Sequence, residues 1–255
     1  MVCKIQFIKR RCPMADLMIF KRVEKKYLIS PAKYDAFMEE FRKHMTMDKY
    51  GLHTICNVYY DNDHNELISR SLERPVYKEK FRIRSYGIPT DDDHKIFLEI
   101  KKKVKGIVYK RRISLPLKEA YEYLEQGRAP EETDYEERQI MKEIDYMMHL
   151  YQLKPSLYLA YDRTAWFGND DKEFRVTFDQ RIRSRREHMR LDEGDEGEEL
   201  LPEGWRLMEV KVANAFPMWM VRLLEDLEIY PVSFSKFGNI YTVNQGGTMS
   251  CSAVF

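Results

Sequence analysis

The chain has 255 residues, is 44% hydrophobic and carries 43 basic and 42 acidic residues. This length and apolar content can bury the core of one large domain, and the near-zero net charge argues against a general nucleic-acid coat. No apolar run approaches the roughly 20 residues that a membrane-spanning helix needs, so the sequence predicts no direct insertion into a bilayer.

Alternating polar and apolar residues predict eight strands, most of them separated by turn residues or by a single helix. They cover residues 20–27, 53–60, 78–84, 95–104, 107–115, 156–167, 174–183 and 205–212. Apolar residues at helical spacing predict four helices, at 30–45, 117–124, 133–151 and 214–227. Thr133 and Glu136 have the spacing of a capping box at the third helix.

The remaining segments set the expected domain limits. Residues 1–18 have no clear period and are predicted to be a disordered extension, followed by a single domain at 19–241 and a tail at 242–255. Within the domain, the acidic residues 190–204 predict a mobile loop. The cysteines lack CxxC spacing, the histidines lack HxxxH spacing, and no secretory signal is apparent, so we expect a reduced, cytoplasmic protein without a zinc site.

Basic side chains repeat on one face of the predicted strands. In residues 78–84, Lys78, Lys80, Arg82 and Arg84 occupy alternate positions, and Phe81 is among the apolar residues between them. A half-buried strand whose cations lie in water would have the same pattern. The pattern recurs in at least five further segments, however, and this repetition favours a shared basic surface.

The predicted helices decide where that surface faces. Each helix has an apolar stripe, and the apolar side of the strands is the surface that can cover it. Closing the sheet would place the cations inside and the helices outside. The predicted fold class is therefore α+β, with an eight-stranded antiparallel β tunnel and helices packed on the outside. Its interior would be lined by Arg22, Lys26, Lys80, Arg82, Arg84, Lys101, Lys110, Arg112, Arg163, Arg175, Lys211 and Lys236.

Such an interior requires an anionic ligand, because like charges buried together are costly unless anions or carboxylates compensate them. Guanidinium and ammonium groups suit phosphate oxygens, and a linear phosphate chain is narrow enough for a tunnel. Duplex nucleic acid is too wide, and few aromatic residues accompany the cations to stack on bases. The pattern therefore predicts a phosphate-chain ligand and no nucleic acid.

Three glutamates share the register of the cations: Glu24, Glu99 and Glu209. Glu24 and Glu99 are either internal ion-pair partners or metal ligands, and the sequence leaves both alternatives open. Glu209 is the stronger candidate for a metal ligand. Mg²⁺ or Mn²⁺ at a phosphate site is typically bound by only one or two carboxylates together with the phosphates themselves.

Seven short motifs occur in one order along the chain. They are Glu-Lys-Lys-Tyr at 24–27, Lys-Glu-Lys-Phe-Arg-Ile-Arg at 78–84, Phe-Leu-Glu-Ile-Lys at 97–101, Tyr-Lys-Arg-Arg at 109–112, Tyr-Asp-Arg-Thr-Ala at 161–165, Met-Glu-Val-Lys at 208–211 and Phe-Ser-Lys-Phe at 234–237. In this order they resemble the polyphosphate polymerase domain of the vacuolar transporter chaperone (VTC) family. The resemblance extends from about Phe20 to Tyr241 and implies the fold of the triphosphate tunnel metalloenzymes, which RNA triphosphatases, thiamine triphosphatases and class IV adenylyl cyclases share.

The resemblance implies specific roles for residues of this chain. Glu209 is similar to the family's metal-binding glutamate, with Glu24 and Glu99 as further candidates and Mn²⁺ or Mg²⁺ as the cofactor. The expected catalytic cations are Lys26, Arg82, Arg84, Lys101, Lys110, Arg163 and Lys236. The expected substrate-binding residues are Arg22, Lys80, Arg112, Tyr161, Arg175 and Lys211.

The implied activity is transfer of the terminal phosphate of ATP to inorganic polyphosphate. The sequence contains neither the SPX regulatory region nor the membrane segments that accompany the domain in the eukaryotic complex. We therefore expect a stand-alone soluble form and leave a membrane partner and the oligomeric state open. The opening motif, from Arg22 to Lys26, has one carboxylate where hydrolytic relatives have two. A tunnel triphosphatase for inorganic triphosphate or nucleotides, and a non-catalytic polyphosphate-binding module, remain the alternatives.

Overall fold

The computed structural model describes residues 23–73, 75–105, 107–130, 134–213 and 215–249. The predicted extension at 1–18, and Arg22 with its predicted role, lie outside these residues. Within the described residues, no helix is both long enough and apolar enough to cross a membrane.

One antiparallel sheet dominates the fold. Its eight long strands lie in the order β1-β10-β8-β7-β3-β4-β5-β6, while the short β2 pairs with β7 and the short β9 pairs with β8. The strands are β1 (Val23–Ile29), β2 (Met45–Met47), β3 (His53–Asp61), β4 (Tyr77–Tyr86), β5 (Lys95–Val104), β6 (Ile107–Pro116), β7 (Lys154–Gly168), β8 (Arg175–Arg185), β9 (Glu198–Glu199) and β10 (Arg206–Val212).

The α+β class and the eight main strands are confirmed. Among the described residues, β1 and β6 at the two ends of the order are not paired with each other, so the sheet does not close into the expected barrel. Its ends nevertheless approach each other. Burial lowers the pKa of Lys101 on β5, and the charges of Glu24 and Lys26 on β1 also act on this pKa. The sheet is therefore curled, with a concave face between β1 and β5.

The helices of the described residues are α1 (Pro31–His44), α2 (Glu66–Leu72), α3 (Leu117–Gln126), α4 (Tyr135–Tyr151), α5 (Met218–Asp226) and α6 (Lys236–Asn244). The four that were predicted, α1, α3, α4 and α5, cover the convex face. In one outer cluster, Ile144 of α4 packs with Phe81 and Ile83 of β4. In another, Phe41 of α1 packs with Met208 of β10. Each such side chain contributes roughly 1.5–3 kcal/mol when it is fully buried.

Two helices were not predicted. Helix α2 has only seven residues, and its first turn depends on the carboxylate of Asp61, which accepts hydrogen bonds from the Leu67 and Ile68 amides at 2.9 Å each. Helix α6 contains Gly238 and Asn239, which are poor helix formers, and it packs on the concave face. Its Phe237 and Ile240 are buried against apolar residues of β3, β7 and β10.

The segment from 190 to 204 has defined contacts. Glu198 and Glu199 form the short strand β9 beside β8, and Leu191 and Leu201 are buried. The guanidinium of Arg185 donates hydrogen bonds to several backbone carbonyls of this segment, including those of Glu196 at 2.7 Å and Gly194 at 3.1 Å. Helix α6 ends at Asn244, so the first three residues of the predicted tail, 242–244, are helical.

A capping box stabilises the first turn of α4. Thr133, the predicted cap residue, lies outside the described residues. The capping box of the structure is formed by the next pair: Asp134 accepts from the Glu137 amide at 2.8 Å, and Glu137 accepts from the Asp134 amide at 3.2 Å. Asp134→Ala is expected to lower the free energy of unfolding by about 1 kcal/mol, because helix amides lose their acceptor. Urea denaturation measures this change. Glu136→Ala is the control, and an equal loss in both variants would contradict the assigned cap.

Candidate functional site

Strand alternation places the predicted basic residues on the concave face of the sheet. On β4, Arg82 and Arg84 face this side, whereas Phe81 and Ile83 enter the outer core. The pairing aligns Lys80 with Lys101 on β5, and Lys101 with Lys110 on β6. On the opposite wall, Lys26 of β1 lies opposite Glu209 of β10. The antiparallel register therefore brings distant parts of the sequence onto one surface.

The first cluster surrounds two buried carboxylates, Asp179 on β8 and Glu209 on β10. Arg163 binds Asp179 with two nitrogens, at 2.6 and 2.7 Å. The Nζ of Lys236 lies 2.6 Å from Asp179 Oδ2 and 3.2 Å from Glu209 Oε1. Lys26 Nζ completes this side of the cluster at 3.4 Å from Glu209 Oε1. Two carboxylates are therefore held in place by three cations from three separate elements.

The electrostatics of this cluster keep Glu209 and Lys236 charged. Burial alone would favour a protonated Glu209, but Lys236, Lys26, Arg163 and Lys211 hold the pKa of its carboxyl well below the usual value. Burial also opposes the charge of Lys236, but Asp179 and Glu209 raise its pKa above the usual lysine range. Lys236 is consequently an ammonium at any physiological pH, and it can stabilise anions but cannot act as a general base.

Lys236 reaches this position through an irregular segment beside β1. The Val232 amide donates to the Lys26 carbonyl at 2.7 Å, and the Lys26 ammonium donates to the Phe234 carbonyl at 3.0 Å. Ser235 then caps α6 by accepting from the Gly238 amide at 3.2 Å. Lys236 is the first residue of that helix. Packing of α6 on the concave face therefore fixes the lysine.

The second cluster surrounds Glu99 on β5. Its carboxylate, only 2% exposed, lies 2.7 Å from Arg82 Nη2 and 2.6 Å from Lys110 Nζ. Arg84 and Arg112 are farther away, each at 3.9 Å. Although burial opposes ionisation, Arg82, Arg84 and Lys110 lower the pKa of Glu99 to about 2. Glu99 is therefore an ion-pair partner that orients four cations.

Tyr161 on β7 connects the two clusters. Its hydroxyl accepts from Arg84 Nη2 at 3.3 Å, while the Lys236 ammonium lies 4.6 Å and the Arg163 guanidinium 5.0 Å from the centre of its ring. The ring is buried and has cations on its face, an arrangement that attracts them electrostatically. The clusters therefore form one continuous site.

Lys80 and Lys101 differ from the cations of the two clusters, since neither has a carboxylate partner among the residues that the structure describes. Lys80 lies 5.7 Å from the centre of the Phe237 ring, and burial lowers the pKa of its ammonium to about 8. An anion bound here would supply the missing counter-charge. The two lysines therefore extend the site along the concave face.

The remaining predicted residues lie at the border of the first cluster. Glu24 is 38% exposed and lies 3.8 Å from Lys26 Nζ and 3.7 Å from Lys211 Nζ. Lys211 also lies 3.8 Å from Glu209. Arg175, opposite Lys211 in the register, stacks 5.1 Å over the Phe167 ring and is exposed. Every predicted site residue that the structure describes is thus on this face.

A divalent cation fits one part of the site. Among the described residues, no group of three or more His, Cys, Asp or Glu side chains could hold a metal. Mg²⁺ at phosphate sites, however, is commonly bound by one or two carboxylates, with phosphates and waters completing the shell. Glu209 and Glu24 are neighbours that both approach Lys26 and Lys211, and they fit this donor set. Glu99 does not fit, because Arg82 and Lys110 already pair with its two oxygens at 2.7 and 2.6 Å, whereas the cations around Glu209 lie 3.2 Å or more from its carboxylate.

The sequence interpretation missed three residues of the site. Asp179 shares a strand face with Arg175 and Thr177, and this alternation was the signal that could have identified it. Asn57 and Tyr59 lie on β3, where Asn57 Oδ1 accepts from Arg84 Nε at 2.9 Å and Tyr59 OH accepts from Arg82 Nη1 at 2.8 Å. The polar Asn57 between the apolar Cys56 and Val58 was the only sequence sign of these two residues.

Comparison with known proteins gives consistent matches. Residues 21–244 match the model of the VTC domain family. Over 153 residues, which are 51% of this chain, the sequence is 31% identical to vacuolar transporter chaperone complex subunit 4 of Trypanosoma brucei brucei, and the chain spans only 19% of that relative's length.

Among solved structures, a candidate adenylate cyclase from Bacillus halodurans has a TM-score of 0.50 and 16% identity, covering 84% of this chain and 93% of its own. A second candidate adenylate cyclase, from Vibrio parahaemolyticus, has a TM-score of 0.40 and 12% identity, covering 81% of this chain and 83% of its own. At such identities a structural likeness concerns the fold alone. The fold of the Bacillus halodurans protein agrees with the predicted tunnel-type fold.

Proposed function

This chain belongs to the VTC domain family, and on that premise we propose that it transfers the terminal phosphate of ATP to the end of a growing inorganic polyphosphate chain. The observation that supports this proposal most directly is the continuous row of cations on the concave face. Basic side chains outnumber the carboxylates there, and Lys80 and Lys101 lack carboxylate partners among the described residues. A phosphate chain supplies the negative charge that such a surface lacks.

In the proposed mechanism, the protein positions two phosphates and stabilises the charge that moves between them. The attacking end of a polyphosphate is already an oxyanion at neutral pH, so no general base is needed. Lys236, Arg163 and Lys26 would bind the oxygens of the transferred phosphoryl group, while Glu209 and Asp179 hold these cations in place. Arg82, Arg84 and Lys110, oriented by Glu99, would bind the adjoining phosphates.

A divalent cation, Mn²⁺ or Mg²⁺, would be held by Glu209 with Glu24 beside it. When bound, such an ion neutralises phosphate charge and orients the oxygens. The chain's own contribution at this position is a carboxylate that stays ionised over the physiological pH range, because the surrounding cations lower its pKa.

Incubation of the pure protein with ATP and Mn²⁺ tests the proposal. Long phosphate chains that a polyphosphatase degrades should appear on a gel, together with stoichiometric ADP. Release of orthophosphate alone would contradict polymerisation and favour the tunnel triphosphatase. Salt-sensitive binding of polyphosphate without any consumption of ATP would instead indicate a binding module.

Binding of a phosphate chain should depend on pH through Lys80. Burial lowers its pKa to about 8, so the free protein loses this positive charge as the pH rises above that value, and a bound anion favours the protonated form. The affinity for inorganic tripolyphosphate should therefore decrease above pH 8, by at most about ten-fold per pH unit. Isothermal titration calorimetry over this range measures the effect.

Two variants isolate the contribution of Lys80. Lys80→Arg should reduce the pH dependence, because a guanidinium remains charged throughout the range. Lys80→Met should bind weakly at every pH. If the pH profiles of Lys80→Arg and the unmodified protein coincide, another group titrates and the assignment is wrong.

A further inference from the structure

A row of aromatic side chains continues the concave face beyond the cations of the second cluster. Tyr86 follows Arg84 by two residues on β4, Phe97 precedes Glu99 by two on β5, and His53 lies opposite Arg163 across β3 and β7. Residues two apart on a strand share a face. We call Tyr50, His53, Tyr86 and Phe97 the aromatic shelf.

The rings of the shelf lie against one another. The distances between ring centres are 6.2 Å for Tyr50 and His53, 6.2 Å for His53 and Tyr86, and 5.5 Å for Tyr86 and Phe97. The Arg112 guanidinium lies 4.5 Å over the Phe97 ring, and Arg112 also faces Glu99. The shelf is therefore continuous with the second cluster through Arg112.

The shelf is open to a ligand. Tyr50 is 67% exposed and Tyr86 is 44% exposed, although both carry large rings next to a buried charged site. The Tyr86 hydroxyl is close to Arg84: burial raises the pKa of this phenol, but the charge of Arg84 outweighs burial and lowers it. Nothing in the proposed phosphoryl transfer uses these rings.

We propose that the aromatic shelf binds the base of the donor nucleotide by stacking. The inference rests on the proposed function, since it takes a nucleoside triphosphate as the donor. Two residues along a strand span about 7 Å, which is roughly the length of a ribose. Tyr86 therefore lies about one ribose beyond Arg84, the side chain proposed to bind a phosphate. A triphosphate held by Arg84 and Arg112 would place its base over the exposed rings.

Stacking of this kind recognises the π-face that every base has and does not read hydrogen bonds. The shelf consequently makes the donor a nucleotide in preference to a bare phosphate chain, with little discrimination between ATP and GTP. The sequence shows few aromatic residues beside the cations and therefore offers little support for base stacking. The shelf is not visible in the sequence, because Tyr86, Phe97 and His53 come from three different strands and meet only in the folded sheet.

Calorimetry with two ligands tests the shelf without requiring turnover. One ligand is the non-hydrolysable analogue adenylyl imidodiphosphate, and the other is inorganic tripolyphosphate, which lacks a base; both are titrated without added metal. Tyr86→Ala is expected to bind the nucleotide about ten-fold more weakly and to bind tripolyphosphate like the unmodified protein. Tyr86→Phe, which retains the ring, should restore nucleotide affinity. Tyr146→Ala, at an exposed tyrosine of α4, is the matched control and should change neither affinity.

Three results would overturn the inference: an unchanged nucleotide affinity in Tyr86→Ala, an equal loss for both ligands, or a loss in Tyr86→Phe as large as in Tyr86→Ala. Should the alanine variant not fold, 2-aminopurine riboside triphosphate provides a test on the unmodified protein. Stacking should quench its fluorescence on binding, and an unquenched bound probe would also refute the shelf. Failure of polymerisation is seen separately, as the absence of long chains on the gel.

Discussion

Replacing Lys236 with methionine should lower the rate of phosphoryl transfer by at least about 100-fold, the usual cost of removing one fixed group that stabilises transition-state charge. The ammonium lies between Asp179 and Glu209, at 2.6 and 3.2 Å, and is only 10% exposed. Its raised pKa keeps it charged at every working pH. The effect should therefore appear in kcat at any pH between 6 and 9 and should not be rescued by alkaline conditions.

Loss of structure must be separated from loss of catalysis in this experiment. Methionine retains an unbranched side chain as far as the position of the lysine Cε, and Arg163 still holds Asp179 with two hydrogen bonds. Thermal unfolding monitors the fold of the variant. Lys25→Met provides the matched control, because Lys25 is an exposed neighbour of Lys26 that faces the other side of β1. A folded Lys236→Met protein with nearly normal kcat would refute the catalytic role.

Glu209→Gln and Glu99→Gln should have different consequences, although both change a nearly buried carboxylate to an amide. Glu209→Gln is expected to raise the Mn²⁺ concentration for half-maximal activity by at least about ten-fold, since it removes the proposed metal ligand. Glu99→Gln should leave this concentration unchanged. Its main effect should be a decrease in the free energy of unfolding by about 3–5 kcal/mol, because Arg82 and Lys110 lose their buried partner.

Metal titrations of activity and urea denaturation of both variants measure these two effects. Glu24→Gln adds a third point, since Glu24 is more exposed and shares Lys26 and Lys211 with Glu209. Equal increases in the metal requirement of all three variants would indicate a site with several carboxylate ligands. That result would contradict the polymerase proposal and support the triphosphatase alternative.

Strand periodicity made most of the concave face predictable. A side chain's face on a strand follows from its position alone, so the alternation in residues 78–84 already separated Arg82 and Arg84 from Phe81 and Ile83. The same rule located Lys26, Lys101 and Glu209. It could not decide whether Glu99 binds a metal or pairs with cations, because that depends on which strands become neighbours. The sheet order places Arg82 and Arg112 on either side of Glu99.

Helix α6 shows the opposite case. Gly238 and Asn239 give it low helix propensity, and its apolar side chains are covered only when it packs on the concave face. Tertiary contacts therefore determine both the helix and the position of Lys236. Asp179 was missed for a related reason: its strand face was predictable, but its role depends on Arg163 and Lys236, which surround it only in the folded protein.

The sequence by itself determined the number of main strands, the basic character of one face and the apolar character of the other, since each depends on a local period of two residues. Only the tertiary structure decided that the cations form two clusters around Asp179 and Glu209 and around Glu99, and that the aromatic shelf adjoins them. These arrangements arise from contacts between residues far apart in the chain, and the curl of the sheet, which no local pattern records, sets their distances.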